Sequence, residues 1–190
     1  LIENFDDEID KIKKRITEKQ EELGAISGEI SMRRLNLAKS MEKAIEEKLH
    51  FLGIETAAFR ININREEIDT KINDTSTMAC AKSGNKFYKA YINGIDDVRF
   101  FISLNKGESP KPLAEIASGG EISRVMLSIK SIAAEAEGLP MLIFDEIDTG
   151  VSGRISQKVG LTMKDLAKYH QIIAITHQPQ IAALADRNIS

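Results

Sequence analysis

Apolar side chains in the first fifty positions recur at alternating three- and four-residue steps: Ile9, Ile12, Ile16, Leu23, Ile26, Ile30 and Leu37, with Lys19 and Arg33 filling two seam positions. This is the heptad pattern of a coiled-coil helix. The seam then shifts to Met41, Ile45, Leu49 and Leu52, so residues 1–52 read as one long helix with a continuous apolar face. Gly24 and Gly28 interrupt it, each at about 1 kcal/mol relative to alanine, and mark a weak point or a bend. A glycine pair four residues apart favours close packing in apolar membrane spans. Here Glu21, Glu22 and Glu29 surround it, so an ordinary solvated helix is the better reading. Such a helix needs a partner for its seam.

The period changes after residue 52. Residues 56–63 alternate Phe59, Ile61 and Ile63 against Ala58, Arg60 and Asn62, which predicts a half-buried strand. Residues 86–92 and 98–104 also read as strands, with Asn93-Gly94 as a turn signal between them. The polar stretch 64–84 predicts a mobile loop or irregular hairpin. Farther on, Ile122, Val125, Met126, Ile129, Ile132 and Ala133 share one helix face, and Glu137-Gly138-Leu139-Pro140 ends that helix. Met141–Phe144 is an apolar strand; Ser152 is placed to cap a helix bearing Ile155, Val159, Met163 and Leu166; Ile172–Ile175 is a second apolar strand. Helix–strand alternation with short links from 118 to 187 predicts a parallel α/β lobe, within a domain that spans residues 53–190.

Composition narrows the class without naming a chemistry. The chain has 190 residues, 42% hydrophobic and 29% charged, with a formal charge of −3. These values fit one compact core beside a helical projection in a cytoplasmic protein. No apolar run approaches the roughly 20 residues of a membrane span, and no signal peptide is visible. Cys80 is the only cysteine, so no internal disulfide can form, and His50, His170 and His177 lie too far apart in sequence to suggest a metal cluster. Basic runs at Lys11–Arg15 and Arg33-Arg34 could follow a DNA backbone. The acids Asp6, Asp7, Glu8 and Asp10, and the absence of interleaved aromatics, favour a solvated face instead.

Two runs carry more specific chemistry. Ala117-Ser118-Gly119-Gly120-Glu121 places a hydroxyl and two glycines before a helix, where unpaired backbone N–H groups and the helix dipole favour an anion such as phosphate. The bland alternative is a loop before a capped helix. Met141–Phe144 leads directly into Asp145-Glu146, so two carboxylates emerge at the C-terminal edge of a strand, where α/β sheets bind ligands. With a magnesium nucleotide, Asp145 would hold the ion through water and Glu146 would deprotonate the attacking water. His177, after the second strand, could hydrogen-bond a γ-phosphate or that water. Taken singly, the acid pair could be a solvated strand end and the histidine a structural one.

The order of these pieces, with Asp148-Thr149-Gly150-Val151-Ser152-Gly153 after the acids, resembles the C-terminal lobe of an ABC-type ATPase head. More narrowly, the chain resembles the bacterial RecN-type DNA repair family of the SMC-like group. The residues that carry this are Gly94, Val98, Phe100, Ser103, Asn105, Gly107-Glu108, Lys111-Pro112-Leu113, Ile116 through Glu121, Ser123-Arg124, Phe144 through Asp148, and Thr176 through Gln180. The likeness covers residues 94–190 closely, 53–93 loosely, and the first fifty only as a helix type. It implies ATP and Mg²⁺ as cofactors and a second head as partner in a homodimer. Ser118, Gly119, Gly120 and Glu121 would meet the nucleotide of the opposite head, while Asp145, Glu146 and His177 would act in cis. Asp148 would belong to a loop that crosses the interface and also serves nucleotide binding. DNA and a nucleoid location follow for the complete protein, with no membrane partner. Ala117 stands where many transporters carry leucine, which weighs against a transporter ATPase; that fragment and a non-catalytic coiled-coil module are the alternatives.

A P-loop, G-x-x-x-x-G-K-[ST], is missing: no glycine in the chain is followed by lysine. Ala81-Lys82-Ser83-Gly84-Asn85-Lys86 has the composition in the wrong order and reads as a polar turn. The resemblance implies that the P-loop lies in an N-terminal lobe beyond the coiled-coil arms. A start without methionine and an end just after a helix give the same expectation of a C-terminal half, inactive by itself.

Overall fold

The computed structural model describes residues 2–69, 78–116, 119–134 and 138–189, with side chains from residue 5 onward. The chain divides into two compact units, Leu1–Lys39 with Ile61–Arg99 and Ser40–Arg60 with Phe100–Ser190. Helix α1 (Ile2–Phe51) has residues in both, as do strands β1 (Ala58–Arg65) and β5 (Asp96–Ser103). The sheet order of the latter two is β1-β5-β6, with β6 (Lys111–Pro112) antiparallel to β5. Proline suits that edge because an edge strand can spare a donor.

In the first unit a small antiparallel sheet has β4 (Lys86–Lys89) between β2 (Glu67–Ile68) and β3 (Cys80–Ser83). The stretch 64–84, expected as a mobile loop or irregular hairpin, thus contains two strands, and β3 forms a regular hairpin with β4. Cys80 and Ala81 are buried and pair with Lys89 and Tyr88, and Gly84, at φ +59, closes the hairpin. The remainder of that polar stretch, residues 70–77, lies outside the described residues.

Helix α1 meets this unit through a face that the heptad reading did not select. Gln20, Gly24, Ser27 and Ser31 are buried, while Ile12 is 54% and Leu37 64% exposed. Small residues are needed because the backbone of β3 comes very close: a Cβ on Gly24 would collide with the Lys82 carbonyl oxygen. Gly24 is therefore a contact glycine and not merely a weak point. Gln20 reaches Cys80 Sγ at 3.1 Å. Ser31 and Arg34 donate to the buried carboxylate of Asp96 at 2.5 and 2.9 Å, and Arg65 adds a third bond at 3.2 Å. Burial pushes the Asp96 pKa up, but these donors outweigh it and hold the group below its ordinary value.

The second unit carries the α/β lobe. Strands β7 (Met141–Phe144) and β8 (Gln171–Ala174) pair in parallel, Phe144 opposite Ala174. Helices α2 (Gly119–Ala133) and α3 (Arg154–Leu166) supply Leu127, Val159, Met163 and Leu166 to a core shared with Leu52, Phe144, Ile147 and Ile181. Each such side chain contributes about 1.5–3 kcal/mol when fully buried. A short helix α4 (Pro179–Ala182) follows β8. Ser152 does not cap α3 as expected: Gly153 holds that position at φ +55, with no side-chain cap, and the Ser152 carbonyl instead accepts from Ile155 N–H.

Alternation along β7 and β8 turns Leu142, Phe144, Ile172 and Ala174 toward the core. Met141, Ile143, Ile173 and Ile175 are exposed, Ile143 to 64%. Parallel sheets are normally covered on both faces.

The two glycines of α1 give a matched test. Nothing stands within 4 Å of a Cβ on Gly28, so Gly28→Ala should stabilise the chain by up to about 1 kcal/mol through helix propensity. Gly24→Ala should destabilise it by about 1–3 kcal/mol, since the obstacle is backbone. Urea denaturation of both variants checks this; a stabilising Gly24→Ala would contradict the packing.

Candidate functional site

The site is built where β7 and β8 end. Ile175 N–H bonds to the Phe144 carbonyl at 2.9 Å, extending the parallel pairing to the last residue before Asp145 on one side and Thr176 on the other. Asp145 and Glu146 are exposed, as an edge position requires. Glu146 has φ +54, the one non-glycine residue with positive φ among those described. For an L residue that conformation costs roughly 1–2 kcal/mol. Strain of this kind collects at functional sites because surrounding contacts enforce it.

Those contacts come from α2. Ser123 Oγ donates to the Asp145 carbonyl at 2.8 Å, and buried Arg124 donates through Nη1 to the Thr149 carbonyl at 2.9 Å. Burial pushes the Arg124 pKa down, and Glu121, half-buried in the first turn of α2, partly opposes that. Both glycines of the Ala117–Glu121 run lie beside the same turn. A Cβ on Gly120 would stand 2.8 Å from Thr149 Cβ and from its carbonyl oxygen, and one on Gly119 would collide with Glu146 Oε2. Gly120 therefore has a packing reason to be there, in addition to any approach by phosphate, whereas the obstacle at Gly119 is the tip of an exposed, flexible side chain. Ala117 and Ser118 lie outside the described residues, and the structure places Gly119, Gly120 and Glu121 of that run.

His177 projects from the loop after β8 and is largely exposed. Asp148, by contrast, is buried beneath that loop: its Oδ2 accepts from Thr176 Oγ1 at 2.5 Å, His177 N–H at 2.9 Å and Gln178 N–H at 3.2 Å. Gln178 Nε2 also donates to the Val151 carbonyl at 3.3 Å. Burial pushes the Asp148 pKa up, but the Thr176 hydroxyl and the His177 amide more than offset it, so the carboxyl lies below its ordinary value. The structure thus joins Gly119, Gly120, Asp145, Glu146, Asp148 and His177 through short contacts. Sequence reasoning assigned no role to Ser123, Arg124 or Thr176; their signal is position, one helical turn after the glycines and directly before the histidine.

The other two histidines in this unit are structural: His50 places Nε2 3.1 Å from the Ala57 carbonyl oxygen. His170 is buried, with Nδ1 2.6 Å from the Leu139 carbonyl oxygen. No three metal-ligating side chains converge among the described residues. Asp145 offers one exposed carboxylate, a hard oxygen donor of the kind Mg²⁺ takes.

No protein-family profile matches the chain. Curated relatives do. The DNA repair protein RecN of Halalkalibacterium halodurans is 35% identical over 97% of this chain, and that of Bacillus subtilis 35% identical over 99%. RecN of Rickettsia prowazekii is 39% identical over 90%. The chain belongs to the RecN family. It spans only 30% and 32% of the length of the first two relatives. Among solved structures, the Smc head domain with an extended coiled coil from Pyrococcus furiosus aligns at a TM-score of 0.52 and 18% identity, covering 85% of this chain and 34% of that one. This RecN-family chain therefore has the fold of an SMC-type head lobe with a long helix, as its resemblance implied. No helix among the described residues is long and apolar enough to cross a membrane.

The strain at Glu146 is measurable in this RecN-family chain alone. Glu146→Gly should raise stability by about 1 kcal/mol, the left-handed penalty less glycine's greater unfolded entropy. Glu146→Gln should leave it unchanged. Urea denaturation reads both; loss of stability in the glycine variant would contradict a strained turn.

Proposed function

We propose that this chain is one half of an ATP-driven clamp in a DNA repair protein. The observation that carries the reading is the convergence of the α2 glycines, the Asp145-Glu146 pair and His177 at the ends of two parallel strands. In this reading residues 53–190 are the signature-bearing lobe and residues 1–52 one strand of an antiparallel coiled coil. The exposed isoleucine seam of α1 supports a helical partner. The open face of β7 and β8 supports a further layer, and with no Gly-Lys dipeptide in the chain, that layer is the natural source of a P-loop.

Bound ATP with Mg²⁺ supplies the phosphoanhydride bond to be broken and the charge that Asp145 would balance. Glu146 takes the proton of the attacking water, and His177 donates or accepts a hydrogen bond at the γ-phosphate side. Ser118, Gly119, Gly120 and Glu121 face the nucleotide of a second head, so that binding closes two heads and hydrolysis releases them. DNA engagement belongs to the assembled protein.

In the complete protein, Glu146→Gln should lower ATP hydrolysis by about 10²–10⁴-fold and leave a persistent ATP-dependent head dimer on size exclusion. Ser118→Arg should prevent that dimer. Normal hydrolysis by both variants would refute the assigned roles.

A further inference from the structure

The resemblance puts Asp148 among the nucleotide-contacting residues, but its carboxylate has no room for a ligand. The side chain is 2% exposed, and Oδ2 already takes the Thr176 hydroxyl and the amides of His177 and Gln178. The same oxygen lies 3.4 Å from His177 Nδ1, while the His177 side chain is 75% exposed. Three donors that favour the ionised form keep a negative charge beneath the ring. An anion facing one ring nitrogen favours the proton on that nitrogen, and so decides what the other can do.

We propose that Asp148 is a positioning residue that acts through His177: it fixes the backbone of residues 176–178 and holds the imidazole with Nδ1–H inward, leaving Nε2 outward as a hydrogen-bond acceptor for the attacking water on the γ-phosphate side. The proposal rests on the ATPase reading for its catalytic consequence, but not for the ring geometry. It also makes the turn after β7 and the loop after β8 a single piece, so a movement of the Asp148–Gly153 segment displaces His177.

Imidazole ¹⁵N NMR of this chain at alkaline pH reads the geometry directly. The expected result is the Nδ1–H tautomer for His177 in the unsubstituted chain, with a shift toward Nε2–H in Asp148→Ala. A predominantly Nε2–H ring in the unsubstituted chain overturns the proposal, whether or not the variant folds. In the complete protein, Asp148→Asn should lower kcat for ATP about tenfold with KM unchanged. The double variant with His177→Ala should be no slower than His177→Ala alone. Independent, multiplying losses, or a rise in KM in place of a fall in kcat, would overturn it. If Glu146→Gln leaves hydrolysis intact, the ATPase reading fails, while the tautomer result still decides the ring geometry.

Discussion

The Asp148 carboxylate accepts three hydrogen bonds from the residues that follow β8, so the turn carrying Asp145 and Glu146 cannot move independently of the loop carrying His177. A charge taken out of water to this degree is tolerated only because every available donor points at it. The rest of the corner depends on that arrangement. With the turn held from below by Asp148 and from the side by Ser123 and Arg124 of α2, Glu146 is kept in a left-handed conformation it would not adopt freely. Gly120 lets α2 approach closely enough for those bonds to form. Packing in the lobe and placement of the acids are therefore one set of contacts.

A similar logic governs the first unit, where a helix lies on backbone instead of side chains. Gly24 lets α1 come down on β3, and the residues a turn or two away on the same face are small or polar: Gln20, Ser27 and Ser31. With little apolar area to bury there, polar contacts do more of the work, and Asp96 gathers Ser31, Arg34 and Arg65. Ile9, Ile12, Ile26 and Ile30 remain exposed. One helix thus carries two stripes, one packed within the chain and one exposed.

How far this could be read from the amino-acid order depended on the range of the forces involved. The long helix followed from the heptad spacing, and β7 and β8 from apolar runs ending in polar residues, because periodicity is local. Gly24 could not be understood locally: its reason is a strand that lies far along the chain. Strand β3 was missed because Cys80 and Ala81 are too small and too few to make an alternating pattern. The Ser152 cap failed because Gly153, at a φ open to glycine, starts α3 without one. In the candidate site, the glycines and acids were legible as types in order. The burial of Asp148 was not, since an acid following a strand end ordinarily faces water.

The central claim is that this chain supplies one half of a composite ATP site and a P-loop segment the other. Steady-state ATP hydrolysis by this chain alone, and after mixing with the segment of the same protein that bears the P-loop, tests it most directly. The account predicts activity in the mixture well above the sum of the parts. Absence of activity despite demonstrated association of the two pieces, or full activity from this chain alone, would contradict it.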